Sequence, residues 1–176
     1  MGRKCLVDVR RKSGARAYSS KRWGGICATY CVAANARFFG SNLKIKVPVC
    51  SPYRYPDLST YCGDGVFETM GGLEVLTNPQ MIIEILSPST EAFDRGEKFS
   101  YYKSVPSFTE YLLVATNRPN ITQFIKQSES EWVQREANGV DAWISLAAFD
   151  AEMLLSEIYL DIEFPEPKTN LLLVDS

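Results

Sequence analysis

Asp57 follows a proline at the start of a predicted strand, Glu84 interrupts the apolar run Met81 to Leu86, and Lys98 comes fourteen residues after Glu84, beyond a Ser-Pro-Ser-Thr turn. An acid inside a buried strand is costly unless a partner or a metal ion compensates it. Two carboxylates on neighbouring strands can converge on one hard cation. Mg²⁺ takes oxygen ligands at ~2.1 Å and keeps several waters, so two carboxylates and a backbone carbonyl suffice to hold it. A lysine beside such a pair would orient the attacking water, help to deprotonate it and stabilise the negative charge that develops. Together these are the parts needed for phosphodiester hydrolysis. The same residues also admit a plain structural reading, in which Asp57 starts a turn, Glu84 pairs with a buried Arg or Lys, and Lys98 is a solvated helix residue.

The elements that must position these groups are legible around Pro79–Lys103. Met81-Ile82-Ile83-Glu84-Ile85-Leu86 is β-branched and ends at Ser87-Pro88-Ser89-Thr90, which predicts a buried strand over 80–86. Thr90 is placed to cap a helix over about 90–103, with Asp94 and Glu97 in its early turns. Upstream, Leu43 to Val47 alternates apolar and basic residues as a half-exposed strand should, and Tyr55 to Tyr61 reads as the next strand with Asp57 near its start. Residues 64–79, with Gly71-Gly72, read as a connecting loop. Downstream, strands are predicted at 110–115, 121–126, 131–136 and 143–146, with a hairpin turn at Asn117-Arg118-Pro119-Asn120 and a late helical turn near Leu154–Tyr159. One clear helix between strands, followed by antiparallel hairpins, predicts an α/β or α+β domain around a mixed sheet.

Composition narrows the chemistry. The 176 residues suit one domain, and 45% apolar residues with 12% aromatics can supply a core. No apolar run approaches the ~18 residues of a membrane span. The first residues lack a signal-peptide pattern, and Leu6 argues against myristoylation, so a cytoplasmic location is expected. The five cysteines then read as reduced thiols, and Cys27 with Cys31 has no second pair to complete a zinc site. The chain has no histidine, which excludes Ser-His-Asp and Cys-His nucleophile systems as usually built. Paired carboxylates would also serve a glycosidase, but beyond its aromatic content the sequence suggests no sugar groove.

Tyr55-Pro56-Asp57, Ile83 to Thr90, Asp94 with Lys98 and Tyr102, and Glu110 to Val114 together closely resemble a cyanobacterial-type family of restriction-endonuclease-like proteins within the PD-(D/E)xK nuclease superfamily. The resemblance covers roughly residues 40–165 and includes Leu155 to Tyr159; the run from Glu84 to Lys98 is its specific part. It implies a restriction-endonuclease-like mixed β-sheet core flanked by helices, and a metal-dependent endonuclease acting on DNA with Mg²⁺, or Mn²⁺ in its place. By the resemblance, Asp57 and Glu84 are catalytic metal ligands, the carbonyl of Ile85 is a third ligand, and Lys98 is the catalytic lysine. The superfamily's usual lysine, two residues after the acid, would fall at Leu86, which cannot serve, so Lys98 looks like its migrated replacement. Asp94 matches a helix-positioning place behind the ligands, and Ser87 a cap or turn place. A homodimer is compatible with cutting both strands of a duplex. The competing reading within the same fold is a catalytically silent member that binds nucleic acid or serves as a structural domain.

Upstream of about Phe38 the resemblance ends, which divides the chain into an atypical basic leader (1–38), a nuclease-like domain (39–165) and a tail (166–176). Residues 1–54 carry twelve Lys/Arg and one acid, a net of +11, whereas residues 55–176 carry seven and twenty, a net of −13. Codons for Trp23 to Cys31 read two bases later yield a pattern such as G-R-N-L-R-N-L-L, with the i, i+3, i+4 apolar spacing of an amphipathic helix. The family places such a helix there. The leader is therefore expected to derive from a shifted reading frame, its charge a by-product rather than a DNA-binding arm. The nucleotide sequence across codons 1–40 tests this: stops throughout the alternative frame would overturn it.

Overall fold

A computed structural model describes residues 36–49 and 53–164. The expected leader and tail, apart from Ala36–Phe38, lie outside these residues. In chain order the elements are β1 (Ala36–Gly40), β2 (Lys44–Lys46), β3 (Tyr53–Arg54), β4 (Leu58–Cys62), β5 (Phe67–Met70), β6 (Leu73–Leu76) and β7 (Met81–Ile85). Helices α1 (Glu91–Arg95) and α2 (Glu97–Tyr102) follow, then β8 (Glu110–Val114), β9 (Asn120–Lys126), β10 (Trp132–Asn138), β11 (Trp143–Leu146), β12 (Ala151–Leu154) and α3 (Leu155–Ile158). Among the described residues, no helix is long and apolar enough to cross a membrane.

The central sheet has the order β1-β4-β7-β8-β9-β10. Only β7 and β8 run parallel; the other neighbours are antiparallel. A parallel pair needs a crossover rather than a hairpin, and α1 with α2 supplies it. The fold is α+β around a mixed sheet. Continuous apolar character in β7 and β8 follows from burial on both faces. Ile82, Leu86, Tyr111 and Leu113 pack on the face that carries Phe99 and Tyr102 of α2. Met81, Ile83, Leu112 and Val114 pack on the opposite face with Ile144, Met153, Leu155 and Ile158.

Several expectations change. Residues 64–79 are not simply a loop: β5 and β6 form a hairpin that pairs Met70 with Leu73 and joins a four-stranded sheet, β3-β2-β6-β5. Its two-residue turn is Gly71-Gly72, with φ of 58° and 78°. Successive left-handed residues match the twist of a tight hairpin and favour glycine at both places. Strands β1, β3 and β12 are additional, and Tyr53–Arg54, which reads as part of a turn, pairs with β2. The helix expected over 90–103 is broken at Gly96, where φ is −111° and ψ −92°. Thr90 stands at the N-cap position, but its hydroxyl makes no cap bond to the helix backbone; it lies 2.8 Å from the Ser87 hydroxyl instead.

α2 is held by rings. Phe99 stacks on Tyr111 at 4.8 Å and 10°, and lies 4.7 Å from Phe124 and 5.2 Å from Trp132 by ring centroids. Aromatic packing thus ties the helix to β8, β9 and β10. On the other face, Glu110 of β8 is fully buried, yet it is satisfied. Its carboxylate accepts from Gln123 Nε2, from Ala147 N at 3.3 Å and from Ala148 N at 2.8 Å, so the segment after β11 is pinned to the sheet. Truncating Glu110 leaves those buried donors unpaired, a loss of roughly 1–3 kcal/mol for each group left without a partner. Glu110→Ala should therefore lower the urea midpoint clearly more than Glu110→Gln, which keeps an acceptor oxygen. Equal midpoints for the two variants would sink the pinning role.

Candidate active site

β4 and β7 pair antiparallel with Leu58 opposite Ile83. Continuing that register by one residue sets Asp57 opposite Glu84, and directly opposed residues share a face of the sheet. The face is the one covered by α1 and α2, because Ile82 and Leu86, two residues either side of Glu84, pack there. Asp57 lies immediately before β4, and Glu84 lies near the C-terminal end of β7. Backbone groups clamp the two together. Asp57 Oδ2 accepts from Ile85 N at 2.9 Å, and Glu84 Oε2 accepts from Asp57 N at 3.3 Å.

The lysine enters from the helix. Lys98 Nζ lies 2.7 Å from Glu84 Oε1 and 3.0 Å from Asp94 Oδ1. All three residues are buried, with Lys98 only 8% exposed, so it is not a solvated helix residue. Asp94, Lys98 and Tyr102 recur at four-residue intervals, which brings them to one side across the break at Gly96. The Tyr102 hydroxyl donates to Glu84 Oε1 at 3.2 Å, and the Tyr111 hydroxyl donates to the Asp94 carbonyl at 2.9 Å. Asp57, Glu84, Lys98 and Asp94 therefore form one connected cluster, with Ile85 joined to it through its amide. Ser87 stands apart: its hydroxyl meets those of Ser89 and Thr90, and its carbonyl accepts from Thr90 N and Glu91 N, within the turn between β7 and α1.

Tyr102 and Tyr111 were not anticipated as polar partners. For Tyr102 the four-residue spacing from Lys98 was the available signal; Tyr111 gave none, because its hydroxyl reaches across from a different strand. Leu86, where the superfamily's lysine would stand, is buried among Ile82, Phe99 and Tyr102. An ammonium there would sit in an apolar cluster.

Burial pushes the Glu84 carboxyl up to about 8, against the opposing pull of the Lys98 ammonium, while the Asp57 carboxylate adds to the rise. Burial alone would lower Lys98, but the facing Glu84 and Asp94 carboxylates outweigh it and hold it above its ordinary value. Burial, reinforced by the Glu84 charge, holds Tyr102 well up, so its hydroxyl serves as a donor.

Among the described residues, no three His, Cys, Asp or Glu side chains are grouped to hold a metal ion. The side-chain donors here are two carboxylates, Asp57 and Glu84, with Lys98 beside them. An oxygen-only pair of this kind fits a hard cation that retains most of its waters, and does not fit a closed structural metal site.

The site thus sits in an α+β protein whose central mixed sheet has a single parallel pair framing a strand-borne acid and a helix-borne lysine. The chain matches the Uma2 family, described as "Putative restriction endonuclease", over residues 19–156, and it belongs to that family. It is 31% identical over 124 residues to the "Uncharacterized protein slr1290" of Synechocystis sp. (strain ATCC 27184 / PCC 6803 / Kazusa), covering 70% of this chain and 63% of that protein. It is 29% identical over 109 residues to the "Uncharacterized protein sll1609" of the same organism, covering 62% and 61%. The match thus spans less than two thirds of either relative's length. A crystal structure described as that of "a putative nuclease belonging to DUF820" from Anabaena variabilis ATCC 29413 aligns with a TM-score of 0.59 at 15% identity, covering 80% of this chain and 79% of that one. At that identity the likeness is one of fold.

The raised Glu84 carboxyl has a signed consequence. Between its ordinary 4.5 and about 8, the folded chain holds a proton that the unfolded chain has released. Stability should therefore fall as pH rises through that window and level off above it. Burial raises Glu110 as well, so it contributes in the same direction and the wild-type profile contains both groups. Urea unfolding of metal-free protein between pH 5 and 9 should show a clearly shallower pH slope for Glu84→Gln than for wild type. Parallel profiles would overturn the assignment of that slope to Glu84.

Proposed function

We propose that this protein is a metal-dependent endonuclease-like hydrolase of DNA phosphodiester bonds. The observation that carries the reading is the convergence of Asp57 and Glu84 on one face at the strand ends, with the Lys98 ammonium 2.7 Å from Glu84. Membership of a family described as restriction endonucleases supports a nucleic-acid substrate. A hard divalent cation, Mg²⁺ or Mn²⁺, would be held by Asp57, Glu84 and the carbonyl of Ile85. When bound, it would supply Lewis-acid polarisation of the phosphodiester and neutralise charge on its oxygens.

The remaining work falls to the chain's own groups. The Ile85 amide fixes the Asp57 carboxylate, and the Asp57 amide steadies Glu84, so the acids are preorganised rather than collapsed onto each other. Lys98 is kept as an ammonium by Glu84 and Asp94, so its part is to orient water and stabilise charge on the phosphate oxygens, not to take a proton itself. Asp94 acts as a positioning residue that holds the ammonium from the far side. A water oxygen attacks phosphorus and gives up a proton to solvent, one P–O ester bond breaks, and the leaving oxygen takes a proton from solvent. A cleft at the same end of the sheet is lined in part by Arg118 and by Arg95, whose guanidinium pairs with Glu91 of the same lining at 2.8 Å, so Arg118 is the cation better placed to meet a phosphate.

Cleavage of plasmid or oligonucleotide DNA in Mg²⁺ or Mn²⁺ is the expected activity. Glu84→Ala should lower it by at least ~10²-fold, in line with the loss of a preorganised electrostatic group. Lys98→Met should lower kcat with little effect on DNA affinity. A Glu84→Ala protein that cleaves as well as wild type would remove Glu84 from the mechanism. Calorimetric titration with Mg²⁺ separates the enzyme from a catalytically silent scaffold: the enzyme binds metal and Glu84→Ala does not, whereas a silent domain gives no heat with either.

A further inference from the structure

Beside Asp57 the surface is built of rings and cations. Lys44 Nζ lies 5.5 Å from the centre of the Tyr53 ring and 5.4 Å from that of Tyr55. The two tyrosines meet edge to face, with centroids 5.6 Å apart and planes at 89°. Arg54 stacks its guanidinium over Tyr101 at 4.8 Å, and Tyr101 meets Phe93 at 6.5 Å. Successive strand residues project to opposite faces, so this collection of rings and cations has two parts: Lys44 with Tyr53 and Tyr55 on one face of β3, and Arg54 with Tyr101 and Phe93 on the other, toward α1 and α2. Two of its rings remain accessible: Tyr55 is 48% exposed and Phe93 is 40% exposed. Tyr55 is separated from Asp57 only by buried Pro56, whose fixed φ limits how far the ring can move from the acid.

A ring half-exposed in water beside a candidate active site has an ordinary explanation, a tyrosine covered by a lysine stem. The charge distribution argues for more. From residue 55 onward the chain carries a net −13, so cations that could follow a phosphate backbone are few and their places matter. Lys44 and Arg54 lie upstream, and both are seated over rings. Cationic groups interleaved with accessible aromatics are what an unpaired strand needs, because every base has a face that can stack while the cations follow its backbone. In a duplex those faces are already taken by neighbouring bases.

Resting on the nuclease reading, we propose that Tyr55, backed by Tyr53 and Lys44, is a stacking platform for an unpaired nucleobase next to the Asp57–Glu84 pair. Single-stranded or locally unpaired nucleic acid is then the preferred substrate class. The test is equilibrium binding of labelled oligonucleotides, single-stranded and duplex, by fluorescence anisotropy in EDTA, so that no cleavage occurs. Wild type should bind the single strand more tightly than the duplex. Tyr55→Ala should lose about tenfold in single-strand affinity, with duplex affinity changed less than twofold, and Tyr55→Phe should retain the wild-type preference. Lys44→Gln should weaken single-strand binding and lessen its salt dependence, which keeps the test decisive if Tyr55→Ala does not fold. Equal affinity for both forms, or a Tyr55→Ala effect that is the same on both, would overturn the platform. Because the assay needs no turnover, a protein that shows the preference but cleaves nothing refutes the nuclease reading alone, and one that cleaves without the preference refutes this inference alone.

Discussion

The rest of this structure is arranged around a carboxylate placed where carboxylates are costly. Glu84 sits 1% exposed in the middle of a sheet packed on both faces, and an uncompensated charge there would be untenable. Lys98 offsets only part of that cost, since burial still holds the Glu84 carboxyl up to about 8, and Lys98 is in turn buried, so Asp94 must balance the second side of the ammonium. Removing one partner of such a buried pair typically costs roughly 3–5 kcal/mol, because the other charge is stranded. That requirement fixes where the helical crossover has to lie. It must pass over the C-terminal half of β7, and the rings around Phe99 keep it there.

The sheet makes the complementary contribution. Antiparallel pairing of β4 with β7 brings Asp57 to Glu84 across 27 residues of sequence without any help from a loop. The hydrogen bonds between them are backbone to side chain, so the relation of the two acids is as rigid as the ladder itself. The ammonium comes from a separate layer. One side of the site is set by strand register and the other by aromatic packing.

Much of this was legible in the residues, and the parts that were not have physical reasons. A β-branched run with one acid, closed by Ser-Pro, could hardly be anything but a buried strand with an obligation to pair. The turn at Asn117–Asn120 and the alternation after it announced β9. The β5–β6 hairpin carried its own signal in Gly71-Gly72 between short alternating runs, and reading residues 64–79 as a loop overlooked it. β1 was harder, since exposed Arg37 and half-buried Phe38 and Phe39 give no clean period. β12 passes directly into α3 at Leu154–Leu155, without a turn residue to mark the change. At the site, the cost of burying Glu84 could be read from the residues, but the resemblance, not the residue pattern, singled out Lys98 as its partner. That choice depends on how far the crossover helix returns over the sheet, which is settled by ring packing from β8, β9 and β10.

The break at Gly96 divides the crossover into two short pieces, with Asp94 on one and Lys98 on the other. A continuous helix would carry both as a single lever, so any tilt would displace them together. With a joint between them, the piece bearing Lys98 can follow the ring cluster while the piece bearing Asp94 stays anchored through its carbonyl to the Tyr111 hydroxyl. The position of the ammonium can then be retuned over generations by substitutions in the aromatic cluster, several elements away in sequence. The acids need not change at all.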